Sequence, residues 1–146
     1  MKRHLDADLR ERSVVVNREV VIRCGTGNQD VERTDIHVDA ITEDADSNTY
    51  QTIKVIIEVK GCWHRELNRA MESQLVGRYL QENTSQYGLY LVGWFRCDQW
   101  HGDDWRKDAT PRISLEEARH QFYAQAMALS VNGVKVDTIV IDAAIR

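Results

Sequence analysis

Pro111 is the only proline in the 146 residues, so no Pro-rich linker divides the chain. Internal repeats and low-complexity tracts are also missing, and residues 1–146 are expected to form a single domain around one core. Cysteine is scarce. Cys24, Cys62 and Cys97 are odd in number, far apart and form no CxxC, which argues against a disulfide framework and a structural zinc site. No apolar run approaches the roughly 20 residues that span a bilayer. The start, Met1-Lys2-Arg3-His4-Leu5-Asp6, turns acidic with no apolar signal core behind it. A reduced, cytoplasmic protein with no membrane partner is the expectation. Basic excess is missing too: the formal net charge is −4, which argues against a constitutive, charge-driven binder of nucleic acid. It does not exclude an enzyme on nucleic acid, whose metal-binding carboxylates add negative charge that bound cations offset.

What is present is strongly patterned. Leu5 to Arg12 reads as a short polar helix with few apolar anchors, as though the domain were excised from a larger chain. Val14-Val15-Val16 and Val20-Val21-Ile22 predict one strand over 14–23, with an irregularity between the halves. Residues 24–30 carry turn chemistry. From Arg33 to Ile41 the chain alternates, with Ile36, Val38 and Ala40 on one face and Asp35, His37 and Asp39 on the other. A polar hairpin loop is expected over 42–49, then the strongest strand, 52–60. Its Ile53, Val55, Ile57 and Val59 oppose Lys54, Ile56, Glu58 and Lys60.

Leu67, Ala70, Met71, Leu75 and Tyr79 make the apolar stripe of a helix over 64–82. Gly88 opens a buried strand running to Phe95, and 96–111 reads as a loop. Ser114 and Glu117 form a capping box for a helix carrying Leu115, Ala118, Phe122, Ala126 and Leu129. Asn132-Gly133 ends it, and 134–141 is the last strand. The expected order is α-β-β-β-α-β-α-β.

A Glu-x-Lys triplet means little by itself; its surroundings give it content. Glu58 and Lys60 are two apart on a strand, so both project from one face. They end the most hydrophobic strand, where charge is costly without a partner or a metal. Asp35 begins the polar face of the preceding strand, 23 residues before Glu58. Antiparallel pairing can bring it beside Glu58; in another register Asp39 takes its place. Two converging carboxylates repel each other and attract a hard cation. Mg²⁺ accepts one or two carboxylates, a carbonyl such as that of Val59, and waters, and Mn²⁺ is expected to substitute. A cation so held polarises a phosphodiester and lowers the pKa of bound water. Lys60 can then orient that water and offset charge on the phosphorane.

The arrangement Asp35 … Glu58-Val59-Lys60 on a hairpin, followed by a helix and a buried strand, resembles the PD-(D/E)xK nuclease superfamily over roughly residues 14–95. Thr34 stands where that family's motif has proline. The resemblance implies an α/β fold with a restriction-endonuclease-like αβββαβ core: a central mixed sheet flanked by helices, here followed by a C-terminal helix and strand. It implies that Asp35 and Glu58 bind the metal and that Lys60 assists catalysis. The implied activity is Mg²⁺-dependent endonucleolytic cleavage of DNA, in the effector module of a larger defence or repair protein. A homodimer and a fused or partnered sensor or ATPase module are further expectations. The competing expectation is a nuclease-like module that binds or assembles without cutting.

Helpers are more open. Gln74 and Arg78 are i,i+4 at the edge of the helical stripe, where Gln74 can lean over the active site. RecB-like members carry a similar Gln and Tyr on this helix, and Gln74…Tyr79 is one residue longer than their spacing. Glu19 interrupts an apolar strand, either as the additional acidic ligand many superfamily members use or as an edge-strand salt bridge; Glu11 is its rival. His37 and Asp39 can hold a second metal or face the scissile phosphate, but the expectation is an ordinary solvated strand face. Cys97, Asp98, His101, Asp103 and Asp104 match no structural zinc pattern. Burial is the commoner fate for Trp94, Trp100 and Trp105, though such rings can stack on bases, and Trp63 is left open between the two. Arg65, Arg69, Arg78, Lys54, Arg96, Arg106 and Lys107 are phosphate candidates, most of them solvated charges.

Overall fold

The computed structural model describes residues 14–23, 32–44, 49–96 and 101–144; strand side chains at 18–23, 32–35, 42–44 and 49–51 are outside that description. The segments expected over 5–12 and 24–30 also lie outside the described residues. Strands β1 (Val14–Arg23), β2 (Glu32–Asp44), β3 (Thr49–Gly61), β4 (Tyr87–Trp94) and β5 (Lys135–Asp142) form one mixed, open sheet in that spatial order. β1, β2 and β3 run as an antiparallel meander, while β3, β4 and β5 are parallel. Parallel neighbours need crossovers. Helix α1 (Met71–Leu80) supplies the first, and α2 (Trp105–Ala109) with α3 (Leu115–Leu129) the second. The chain has an α/β architecture. No helix among the described residues is long and apolar enough to cross a membrane.

The alternation read from β3 holds, and β4 and β5 extend it. Ile56 and Glu58 are buried on the same face as Tyr90, Val92 and Trp94 of β4 and Val136 and Val140 of β5. That face packs against Met71, Leu75 and Leu80 of α1 and Ala118, Phe122 and Ala126 of α3. Gly88 fits there because it lacks a side chain: a Cβ would lie 3.2 Å from Leu75.

Several boundaries differ from the sequence reading. β2 and β3 run on to Asp44 and from Thr49, so their cross-strand pairing takes up half of the expected 42–49 loop. The β1 irregularity lies between Val21 and Arg23. Residues 64–70 approach α1 through tight turns, with Leu67 N–H bonded to His64 O and Arg69 N–H to Glu66 O, so the regular helix starts later than expected. α1 is wound as a π-helix. At roughly 4.4 residues per turn, the i→i+5 winding keeps Met71, Leu75 and Tyr79–Leu80 on one face. All four are buried, so the stripe survives the change of winding.

The expected loop over 96–111 contains a helix, α2, because the Asp104 side chain accepts from Arg106 N–H and caps its start. The turn before β5 uses left-handed backbone at Asn132 (φ 52°) and Gly133 (φ 84°), as that residue pair favours. β5 lies at the sheet edge, and side chains occupy its outward rungs. Ser130 Oγ bonds both Val136 N–H and Val136 O, Asp137 accepts from Thr138 N–H, and Arg119 donates to Val140 O. Satisfied rungs give another strand little to pair with.

The capping box at α3 forms as expected. Ser114 Oγ accepts from Glu117 N–H at 3.1 Å, and Glu117 accepts from Ser114 N–H at 2.7 Å. The Ser114 backbone N–H first, and the Ser114 hydroxyl donating to the same carboxylate oxygen at 2.8 Å second, hold the Glu117 carboxyl below its ordinary pKa. A depressed folded pKa contributes stability above the ordinary carboxylate range, and that contribution is lost as pH falls through the folded value. Ser114→Ala should lower the Tm by roughly 2–6 °C at neutral pH. Thermal melts followed by circular dichroism should show the gap to wild type narrowing as the pH drops below the carboxylate range.

A candidate acidic site at the end of the central strand

Glu58 is 2% exposed, and its Oε1 pairs with Lys60 Nζ on the same face of β3. The Lys60 side chain is itself only 12% exposed. A desolvated ion pair at the end of a core strand stabilises little relative to apolar residues of the same volume, so such a pair is weak evidence of a purely structural role.

The register supplies the surroundings. β2 pairs with β3 up to Ile36↔Ile57, and β1 pairs with β2 through Arg18↔Ile36 and Val20↔Thr34. One step along these antiparallel ladders sets position 35 against Glu58 and position 19 against 35. Glu19, Asp35 and Glu58 thus occupy one transverse row of the sheet, with neighbouring strands about 5 Å apart. The side chains of Glu19 and Asp35 lie outside the described residues. On its other side Glu58 is paired with Tyr90, and Tyr90 with Thr138.

The backbone at Val59 is oriented by the same ladders. Cys62 N–H donates to Gly93 O, and Lys54 O accepts from Ser85 Oγ at the foot of β4. Even-numbered β3 residues therefore turn their peptide groups toward β4. Alternation turns those of Ile57 and Val59 toward β2, the side on which the row of acidic positions lies.

No protein-family model, curated protein or solved structure matches the chain.

Tyr90 is a residue the sequence reading passed over as one member of an apolar run. It is fully buried, and its hydroxyl donates to Leu67 O at 2.7 Å. Burial first, and the Glu58 charge second, push its phenol pKa well above the ordinary value. A neutral, hydrogen-bonded ring therefore walls Glu58 on the β4 side. The available signal was its even position on β4, in step with Gly88 and Val92.

The remaining candidates divide. Gln74 is half-buried on α1, which packs against β3 and β4. His37 corrects an expectation. It is 8% exposed, not on a solvated face, because its position lies across from fully buried Ile56. His101 and Asp103 side chains are largely exposed, and Asp104 is engaged by Arg106. Among the described residues no three His, Cys, Asp or Glu side chains are grouped to hold a metal. Cys97, Asp98, Trp100 and Glu11 lie outside the described residues.

The tryptophans also differ from expectation. Trp94 is buried, but Trp105 is 66% exposed, because α2 buries none of its side chains. Trp63 is half-buried, packed 5.0 Å from Phe95 with the Arg106 guanidinium 5.3 Å from its ring centroid. Those two rings need the paired glycines Gly61 and Gly93: a Cβ would come within 2.7 Å of Trp63 and 2.6 Å of Phe95. Both rings thus lie on the odd-numbered face of β3 and β4, opposite Glu58. Of the cations, Lys54 donates to Asn83 O, Arg96 to Pro111 O, and Arg65 and Arg69 lie near Glu66.

Proposed function

We propose that the chain is a metal-dependent nuclease domain of the PD-(D/E)xK type, cleaving phosphodiesters of DNA. The observation that carries this reading is the buried Glu58–Lys60 pair ending the central strand, in the same sheet row as the positions of Asp35 and Glu19. The five-stranded mixed sheet with its β3–α1–β4 crossover is compatible with the restriction-endonuclease-like core that the reading requires.

The donor set suits a hard divalent cation such as Mg²⁺, with Mn²⁺ as substitute. Glu58 and Asp35 offer carboxylates, Val59 a carbonyl turned toward β2, and Glu19 a further carboxylate. Bound there, such an ion supplies Lewis-acid polarisation of the phosphate and a lowered pKa for its water. The chain's own groups do the rest. Lys60, held on Glu58, presents an ammonium beside the acidic row, where it can orient the attacking water and oppose charge gathering on phosphate oxygens. Tyr90 and the α1 stripe keep water from the rear of Glu58, which preserves the strength of those charges. Gln74, at the stripe edge, is assigned a contact with the attacking water or the phosphate.

A module that binds without cutting would also retain a direct Glu58–Lys60 ion pair, so the assay must separate the two. Plasmid and single-stranded DNA incubated with Mg²⁺ or Mn²⁺ should be cut by the wild-type chain. Asp35→Ala and Lys60→Ala should each reduce cleavage by about 10² or more. Absence of cleavage on every substrate, together with no calorimetric Mn²⁺ binding, would sink the enzyme reading.

A further inference from the structure

Two residues along β2 from Asp35, the buried imidazole of His37 has a nitrogen without a hydrogen bond. His37 Nε2 is shielded from solvent and has no hydrogen-bond partner, yet it lies 3.3 Å from Asp39 Oδ1. Leaving a buried polar nitrogen unsatisfied is unfavourable. The cation nearest in register does not relieve Asp39 either. Lys54 is its partner across the β2–β3 ladder, but Lys54 Nζ donates to Asn83 O at 3.3 Å.

A nitrogen and a carboxylate oxygen at this separation, out of hydrogen-bond geometry, are spaced as two ligands of one small cation. Bonds of about 2.0–2.2 Å at the tetrahedral angle put donor atoms about 3.3–3.5 Å apart. Octahedral Mg²⁺, with bonds near 2.0–2.1 Å at right angles, needs donors about 2.9 Å apart. An imidazole also favours the Zn²⁺ and Co²⁺ class over Mg²⁺.

We propose that His37 Nε2 and Asp39 Oδ1 bind a four-coordinate divalent cation of the Zn²⁺ class, distinct from any ion held at Glu58. Among the described residues no third His, Cys, Asp or Glu joins the pair; positions of the ion that protein groups do not fill would go to water or a phosphate oxygen. Closed structural zinc sites use four protein ligands; a site with open positions is of the kind that takes substrate. The assignment rests on His37 and Asp39 alone and not on the cleavage reading.

The test is a Co²⁺ titration of the whole chain after EDTA treatment and dialysis, followed by visible absorption and Zn²⁺ competition. One equivalent should give the intense spectrum of four-coordinate cobalt, and Zn²⁺ should abolish it. His37→Gln and Asp39→Asn should each weaken binding at least tenfold, while Glu58→Gln, which should lose cleavage, keeps the spectrum. Asp39, with a side chain 28% exposed, provides the variant least at risk of misfolding, checked by circular dichroism. The proposal falls if no four-coordinate spectrum appears, if both substitutions leave it unchanged, or if Glu58→Gln removes it. In the last case the cobalt occupies the Glu58 site, and the nuclease reading survives.

Discussion

Lys60→Met should abolish the proposed cleavage and destabilise the fold by about 3–5 kcal/mol, because it strips the cation from a carboxylate held away from water. Glu58 is 2% exposed and Lys60 12% at the side chain, so solvent does little to screen the loss. Adding Glu58→Gln removes the buried charge as well. The double variant should regain much of the lost stability, since uncharged residues of similar volume replace a buried pair at little cost. Denaturant unfolding of the wild type, both single variants and the double variant measures the coupling directly, and it should exceed about 1 kcal/mol.

Cleavage behaves differently: all three variants should be at least about 10²-fold slower, because neither neutral side chain replaces the lost charge. This divergence is the informative result. If the double variant recovered both stability and cleavage, the pair would be structural only.

Phe122→Ala should destabilise by about 3–5 kcal/mol, lowering the Tm by on the order of 10 °C. The ring is 1% exposed and sits 5.8 Å from Tyr90, tilted by 57°. It is the largest buried side chain that α3 lays on the sheet. Phe122→Leu keeps most of the volume and should lose far less. Tyr90 stands across from Glu58 in the β3–β4 register, so a void beside its ring also loosens the wall behind the acidic row. Calorimetric melts of the two variants check the packing, and a loss below about 1 kcal/mol for Phe122→Ala would contradict it.

Much of the scaffold was legible because its signals are local. Strand alternation has period two, so Ile56, Glu58 and Lys60 had to share a face wherever the sheet lay. The Ser114–Glu117 box and the Asn132-Gly133 turn are set by side chains within a few residues of the backbone they bond. The stripe of Leu67, Ala70, Met71, Leu75 and Tyr79 was visible for the same reason, although its π winding was not. The 96–111 segment misled: no hydrophobic period marks α2, and Asp104 declares itself as a cap only once the turn before it has formed.

The sequence by itself determined which residues could carry the chemistry: a Glu and a Lys two apart at the end of the most apolar strand, preceded by an acidic strand face. Only the tertiary structure decided how those strands sit against each other. Register depends on partners far apart in the chain, and it alone sets positions 19, 35 and 58 in one row with Tyr90 beyond. Burial is likewise a property of what lies alongside. No local pattern distinguishes a solvated His37 from one buried across from Ile56, and the difference arises when the sheet assembles.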